Sequence, residues 1–348
     1  MGIEYPILQG PFGGGLSTPE LVASVSNLGG LGGYGAYSIS PQEIYEVDKR
    51  IKALTGKPYN LNLWVSDTDV PDSGISDARY ERSKQLFQPY FEEAGAEFPE
   101  KPDFKTRFEN QVQVILDVKP KVFSFVFGIP SADILEEARK RGIILVGAAT
   151  TLDEAFALEK AGVDAIIASG FESGGHRPSF LEKSELSTTG TFVLTQLIRE
   201  KIPYIPVIAA GGIASGKGIA AAFALGADAV QIGTAFLATE ESGALPEHRA
   251  ALFSDSAKQT ILTRAYTGRL GRGISTQLAR EVLGKEQDIL PFPLQTAFMS
   301  PLRKAALAKQ KHEMVLFWSG QIAPILKHTK SGELMRALIE ETGKFMKE

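Results

Sequence analysis

The chain has 348 residues, 43% hydrophobic and 22% charged, a balance that can bury a large core and excludes a disordered chain. With 37 Lys and Arg against 41 Asp and Glu the net charge is −4 and the pI about 5.8, and no dense basic stripe is present, which argues against nucleic acid or an anionic membrane as partner. There is no cysteine, which excludes disulfides, iron–sulfur clusters and thiolate catalysis, and the histidines, His176, His248, His312 and His328, lack metal-ligand spacing, so no protein-built metal site is expected.

A short strand is expected over 6–9, followed by a glycine-rich turn and a helix that Ser17 or Thr18 caps, with Pro19 in its first turn. A second strand is expected over 30–34, with Ser40-Pro41 opening a helix to about Leu54, and a third over 58–65 that carries Asn60 and Asn62. Residues 66–105 turn polar and proline-interrupted and read as an insertion with a short helix near 78–91. A helix over 108–118 precedes a fourth strand at 122–127. Ser131 opens a helix to Arg141, and the fifth strand follows at 143–146. After a helix capped by Thr150 or Thr151 comes a sixth strand at 165–168. A helix over 191–200 leads to a seventh at 206–209, and Ser215 starts a helix before the eighth at 229–232.

Eight short strands alternating with helices, each ending in small or polar residues, predict an α/β fold with a parallel sheet and right-handed crossovers, read as a closed (β/α)8 barrel. A doubly wound sheet is the alternative. The barrel is expected to occupy 1–238, including the insertion at about 66–105. A smaller, mainly helical cap follows over 239–320, with a β-like run at 259–267 and a glycine-arginine loop at 268–273. A closing helix over about 332–345, within 321–348, is expected to pack back on the barrel. The first residues carry no leader or myristoylation pattern, and the most apolar window, 218–238, is broken by Asp228, Gln231 and glycines, so a cytoplasmic protein without a membrane span is expected.

Two phosphate-loop patterns nearly match. Gly30-Leu31-Gly32-Gly33-Tyr34-Gly35 has dinucleotide spacing, but no helix opens behind its third glycine. Gly211 to Lys217 fits the first positions of a nucleotide-triphosphate loop, but Gly218 replaces the Ser or Thr that would hold Mg²⁺. A better reading joins Gly211-Gly212 after the seventh strand to Gln231-Ile232-Gly233-Thr234 after the eighth, where barrels commonly build a phosphate cup from main-chain N–H groups. The run 164–178 has an apolar strand opening into Gly174-Gly175-His176-Arg177, which places a histidine at the strand's C-terminal end, across from the cup. A near-neutral imidazole there suits acid–base work on a small acid. Arg177 reads as an ion-pair partner.

Gln9-Gly10-Pro11, Asn60-Leu61-Asn62, Ser124 to Gly128, Gly174-Gly175-His176-Arg177, Ala210-Gly211-Gly212-Ile213 and Gln231 to Thr234, in this order, resemble the nitronate monooxygenase (2-nitropropane dioxygenase-like) family from the first strand to about Gln321. The resemblance implies an FMN-dependent barrel that oxidises alkyl nitronates, nitroalkanes or propionate 3-nitronate with O₂ to carbonyl compounds and nitrite. It places FMN contacts on Gln9, Gly10, Asn60, Asn62, Gly174, Gly175, Gly211, Gly212, Gln231, Ile232, Gly233 and Thr234, and the catalytic base or hydrogen-bond donor on His176. Ser169 stands where the family usually has Gln, and would reach the flavin through water; Pro178 stands where Gly is common. Ser319 either reaches the site from the cap or packs with Trp318. A monomer or homodimer acting on a small nitronate is expected. The alternative on the same architecture is an FMN-dependent, NADH-linked reductase of enoyl-carrier-protein or quinone.

Overall fold

A computed structural model of the chain describes residues 1–65, 74–101 and 108–346. Strands β1 (Ile7–Gln9), β2 (Gly32–Gly35), β3 (Tyr59–Trp64), β4 (Val122–Val126), β5 (Ile144–Ala149), β6 (Ala165–Ser169), the two-residue β7 (Gly175–His176), β8 (Val207–Ala210), β9 (Ala229–Ile232), β10 (Thr260–Thr263) and β11 (Gly271–Ile274) form two sheets. All but β7, β10 and β11 make one parallel sheet in the order β1-β9-β8-β6-β5-β4-β3-β2. Its open edges meet where Leu8 bridges Leu31 and the Gln9 N–H donates to the Leu31 carbonyl at 2.9 Å. The expected (β/α)8 barrel is therefore the observed fold, with the sixth crossover carrying an extra element, β7.

The alternation of strand side chains explains both the barrel core and the site above it. One parity points inward: Leu8, Val122, Val146, Ala148, Ala165, Ile167, Ile208, Ala210 and Ala229 form an apolar plug. Continuing the same parity towards the C-terminal ends gives Asn62, Ser124, Ser169 and Gln231, so the plug ends in a polar layer. The opposite parity, including Leu61, Leu63, Phe123, Phe125, Leu145 and Ile166, packs against the surrounding helices. Because both faces are covered, these strands read as nearly continuous apolar runs.

Helix starts follow local chemistry. Thr18 accepts from the Leu21 N–H at 3.0 Å ahead of Pro19–Asn27, and Ser40 and Glu43 form a reciprocal capping box on Pro41–Leu54. Ser131 holds the cap position of Ala132–Lys140 without a side-chain hydrogen bond, whereas Thr151 caps Leu152–Ala161 through its hydroxyl.

The outer parts of the expected insertion, 66–73 and 102–105, lie outside the described residues. Its described helix, Asp77–Ala94, is longer than the sequence suggests and joins the C-terminal cap: Phe298 of helix Leu294–Ala308 sits 5.5–5.8 Å from the rings of Tyr80, Phe87 and Phe91, within one apolar cluster. The closing helix, Ser331–Phe345, packs on Pro19–Asn27 and Gly216–Ala224 and buries Leu334, Met335 and Leu338. No helix among the described residues is long and apolar enough to cross a membrane.

Candidate functional site

The cap supplies the element that shapes the barrel mouth. The glycine-arginine stretch expected as a loop is partly strand: β11 pairs antiparallel with both β10 and β7, with His176 opposite Gly271 and Gly175 opposite Arg272. The segment after the cap helices completes this ribbon, since Trp318 bridges Gly273 and the Ile274 N–H donates to the Phe317 carbonyl at 2.8 Å. His176 thus sits on a pinned strand end and not on a free loop. Nothing local in Gly-Gly-His encodes that pairing, because its partner lies almost a hundred residues away and is itself glycine-rich.

The His176 ring is partly enclosed by aromatics. Its centroid lies 4.6 Å from Trp318 and 5.0 Å from Trp64, with Phe127 at 6.5 Å and Phe292 at 6.4 Å. Its Nε2 is 2.8 Å from the Thr267 hydroxyl. Although the residue keeps partial exposure, the enclosing rings desolvate the imidazole and push its pKa down to about 3, so the ring is neutral at working pH. Tyr37 stacks on Trp64 at 3.5 Å, and the Arg269 guanidinium lies 3.6 Å over Phe127 and 4.8 Å over Phe292. Burial lowers the Arg269 pKa to about 9, while Tyr37, buried beside that cation, is still pushed up to about 12. Sequence reasoning missed this aromatic wall. Its one usable signal was Trp64 and Phe127 at the C-terminal ends of the third and fourth strands, where barrels present ligand-facing residues. Phe127 adopts φ 63°, a left-handed conformation that is strained for an aromatic residue.

At the ends of β1, β8 and β9, main chain converges. Gly211 and Gly212 have φ of 109° and 68°, and a Cβ on Gly211 would lie 2.5 Å from Ser173 Oγ, so the turn after β8 admits glycine only. Gly10 lies against Gly233, where a Cβ would come within 3.4 Å of the Gly233 Cα, and its N–H donates to the Ile232 carbonyl at 2.9 Å. Gly174 packs on the Ser319–Gly320 backbone, a Cβ there meeting the Gly320 nitrogen at 2.4 Å. The Gly320 N–H in turn donates to Thr234 Oγ1 at 2.9 Å, and Ser319, buried, donates to the Gly320 carbonyl at 3.0 Å. Gly10, Gly174, Gly211, Gly233 and Thr234 therefore border one rim, which Gly320, not foreseen from sequence, closes.

The remaining expected contacts are placed differently from one another. Asn62 donates to Ser124 Oγ at 2.9 Å, and its carbonyl oxygen makes no hydrogen bond to a described residue. Asn60, one layer deeper, is engaged in both directions by Ser124, at 2.8 and 3.0 Å. Ser169 ends β6 in the polar layer and Gln231 ends the inward parity of β9. Ile232 points away, into the helix-facing core, and so offers only its main chain. Gln9 shares the outward parity of Ile7: its carbonyl oxygen accepts from the Gly33 N–H at 2.9 Å and its amide donates to the Gly10 carbonyl, so it braces the seam between β1 and β2. Gly175, with φ 77°, lies in β7 with open space at its Cβ position.

Arg177 corrects its expected role as an ion-pair partner. Its guanidinium is buried and donates to the carbonyls of Gly170 at 2.6 Å, Ser187 at 2.8 Å and Ser169 at 3.3 Å, tying the end of β6 to the loop behind the histidine. Burial and the neighbouring Arg272 lower its pKa to about 10, which leaves it charged at neutral pH.

Comparisons with known proteins identify the family and match the fold. Residues 1–341 match a family model described as nitronate monooxygenase. A protein of Staphylococcus aureus (strain Newman) named probable nitronate monooxygenase is 36% identical over 352 residues, spanning 99% of this chain and 96% of that protein. A solved nitroalkane oxidase from Streptomyces ansochromogenes superimposes with a TM-score of 0.91 at 34% identity, covering 99% of this chain and 98% of that one. FabK from Thermotoga maritima superimposes with a TM-score of 0.71 at 28% identity, over 99% of this chain and 94% of that one.

Proposed function

Because this chain belongs to the nitronate monooxygenase family, we propose that it holds FMN across the barrel mouth and oxidises alkyl nitronates with O₂ to carbonyl compounds and nitrite. The observation that carries the reading is a neutral, aromatic-walled His176 at a barrel mouth whose turn after β8 admits only glycine at Gly211-Gly212. The glycine-only turn at Gly211-Gly212, with Gly10 and Gly233 beside it, fits a phosphate-bearing group, because bare main chain there can approach the phosphate oxygens closely. Thr234 and Gly174 border the same rim, and Asn62, Ser169 and Gln231 in the polar layer would hold the ring portion. Ser169, shorter than the family's usual Gln, acts there through a bridging water. When bound, FMN supplies the electron acceptor and the centre that reacts with O₂.

The chain's own residues then orient the substrate and move one proton. A nitronate is an anion whose charge is shared by carbon and two oxygens. A neutral imidazole either donates a hydrogen bond to it or takes the α-proton from a neutral nitroalkane. The aromatic wall excludes water from that exchange and gives the alkyl part an apolar surface. Overall, two nitronates and one O₂ would give two carbonyl compounds and two nitrites: each carbon gains one oxygen atom, and each nitrite leaves with the electron pair of the broken C–N bond.

The test is direct. FMN added to the flavin-free protein should quench tryptophan emission, since both tryptophans, Trp64 and Trp318, line the mouth. Mixed anaerobically with an alkyl nitronate, the loaded protein should bleach at 450 nm or so, and in air it should release nitrite. Rapid bleaching by NADH but not by nitronate would instead assign the reductase reading. The variant His176→Asn should retain FMN and lose turnover on neutral nitroalkanes by about 10²–10⁴-fold, the usual size of a general-base contribution. Unchanged turnover in that variant removes His176 from the chemistry.

A further inference from the structure

The hydroxyl beside His176 belongs to none of the expected contacts. We propose that Thr267 is a positioning residue that accepts a hydrogen bond from Nε2–H of His176, holding the imidazole in one neutral tautomer so that Nδ1 carries the lone pair that takes the substrate α-proton. This deepens the reading of His176 as a base and rests on it.

A threonine hydroxyl has one proton to give and two lone pairs. Thr267 Oγ1 directs its proton to the Arg269 carbonyl at 3.2 Å, an oxygen that can only accept. The Arg269 N–H donates back to Oγ1 at 3.4 Å. With that proton on the Arg269 carbonyl, Oγ1 is an acceptor towards His176, and the 2.8 Å hydrogen bond takes its proton from Nε2. Nδ1 makes no hydrogen bond to any described residue, and the ring is only partly buried. Its lone pair is therefore left for a ligand.

Both partners are held by the same segment, which keeps the geometry in register. Thr267 sits in a tight turn: its N–H donates to the Arg264 carbonyl at 3.3 Å, and the Gly268 N–H donates to the same oxygen at 2.8 Å. Arg264 also donates to the Gly268 carbonyl at 3.0 Å. Four residues beyond Thr267, Gly271 pairs with His176, and the Arg177 N–H donates to the Leu270 carbonyl at 2.9 Å. In the reaction the α-carbon loses its proton to Nδ1, and the C–H electron pair passes into the nitronate. The ring becomes an imidazolium that keeps Nε2–H on Thr267, and Nδ1 afterwards returns its proton to solvent. A fixed tautomer matters because a ring turned to the Nδ1–H form would present a donor where a base is needed.

The experiment compares Thr267→Val, which keeps the shape and deletes the hydroxyl, with Thr267→Ser, which restores it. In protein carrying ¹⁵N-histidine, with His176→Asn used to assign the signal, His176 should show a protonated Nε2 and an unprotonated Nδ1. Thr267→Val should shift both resonances towards the averaged values of a mixed pair, and Thr267→Ser should return them. In the FMN-loaded enzyme, kcat/KM for a neutral nitroalkane relative to its preformed nitronate should fall at least tenfold in Thr267→Val and recover in Thr267→Ser. A protonated Nδ1 in the unmodified protein overturns the proposal. So does an equal loss on both substrates, which is what a purely structural role produces. If the unmodified enzyme oxidises no nitronate, the functional reading fails by itself, and the resonances still decide the tautomer.

Discussion

His176 and His248 are both held neutral below the pH at which an exposed imidazole titrates, and that has a sign for stability. His248 stacks on Phe317 with rings 5.0 Å apart and donates from Nε2 to the Trp318 carbonyl at 2.8 Å; burial is the main cause that lowers its pKa to about 4. The unfolded chain binds a proton near pH 6.5 that the folded chain refuses until about pH 4. Stability is therefore complete above pH 6.5 and falls as the pH drops towards 4. Between pH 7 and pH 5 this one residue withdraws roughly 2 kcal/mol. In His248→Gln, which keeps a donor for the Trp318 carbonyl, the difference in urea-unfolding free energy between pH 7 and pH 5 should shrink by about that amount. An undiminished difference would show that burial does not hold His248 neutral. His176, pushed lower still, adds to the same slope in the unmodified protein.

At the scale of elements, the three-stranded ribbon of β10, β11 and β7 aims the histidine, and its glycines make it possible. A Cβ on Gly271 would lie 2.7 Å from the Trp318 ring, a rigid group already set by the ribbon and by His248. Gly271→Ala should displace Trp318, which packs 4.6 Å from His176. Overpacking of this kind costs about 1–3 kcal/mol. We expect a lower kcat with a shifted tryptophan emission maximum, and retained far-UV circular dichroism. Normal kcat would mean that the ribbon tolerates a slack tryptophan. Arg177 works at this scale too. A cation bonded to three main-chain carbonyls joins the end of β6 to the loop behind β7, a task that Lys, with one point of charge, performs less well.

At the scale of the whole molecule, the barrel's apolar plug lies beneath the polar layer that carries the candidate site. The closing helix packs along the outside of the barrel, from Met335 beside Gly30 to Glu341, which accepts from the Gly216 N–H at 3.0 Å, while the ribbon and cap define the mouth. Met335 is fully buried between the closing helix and the start of β2, where a Cβ on Gly30 would meet its methyl at 3.1 Å. Met335→Ala should cost about 2–5 kcal/mol, seen as a lower melting temperature, with FMN affinity unchanged. A weakened affinity would show that the closing helix and the site are coupled. The helix of the insertion and the helices of the cap share one apolar cluster over the mouth, so substitutions at Phe87 or Phe298 act on the cap and the insertion together.

The order of barrel elements was legible because each depends on near neighbours: apolar runs of strand length, a capping Thr18 or Ser40, and turn glycines after the seventh and eighth strands. The conjunction of Gly211-Gly212 with Gly233 was legible for the same reason, since barrel order alone brings those strand ends together. Asn60 and Asn62 looked equivalent in sequence, and both are buried and donate to Ser124; what separates them is that Asn60, a layer deeper along β3, also accepts from the Ser124 N–H. Gln9 was expected as a cofactor contact, and strand parity turns its side chain outward onto the Gly33 N–H, which no local pattern announced. Arg177 looked like half of an ion pair because a sequence shows charge but not which carbonyls surround it. The ribbon, the aromatic wall and the Thr267 contact came from pairings across long stretches of chain, such as Gly271 with His176, which glycine-rich segments do not announce. The sequence by itself thus determined the barrel and the presence of a histidine at its rim. Tertiary structure alone decided which way that histidine faces, what holds its proton and what surrounds it, because those depend on contacts that local periodicity does not encode.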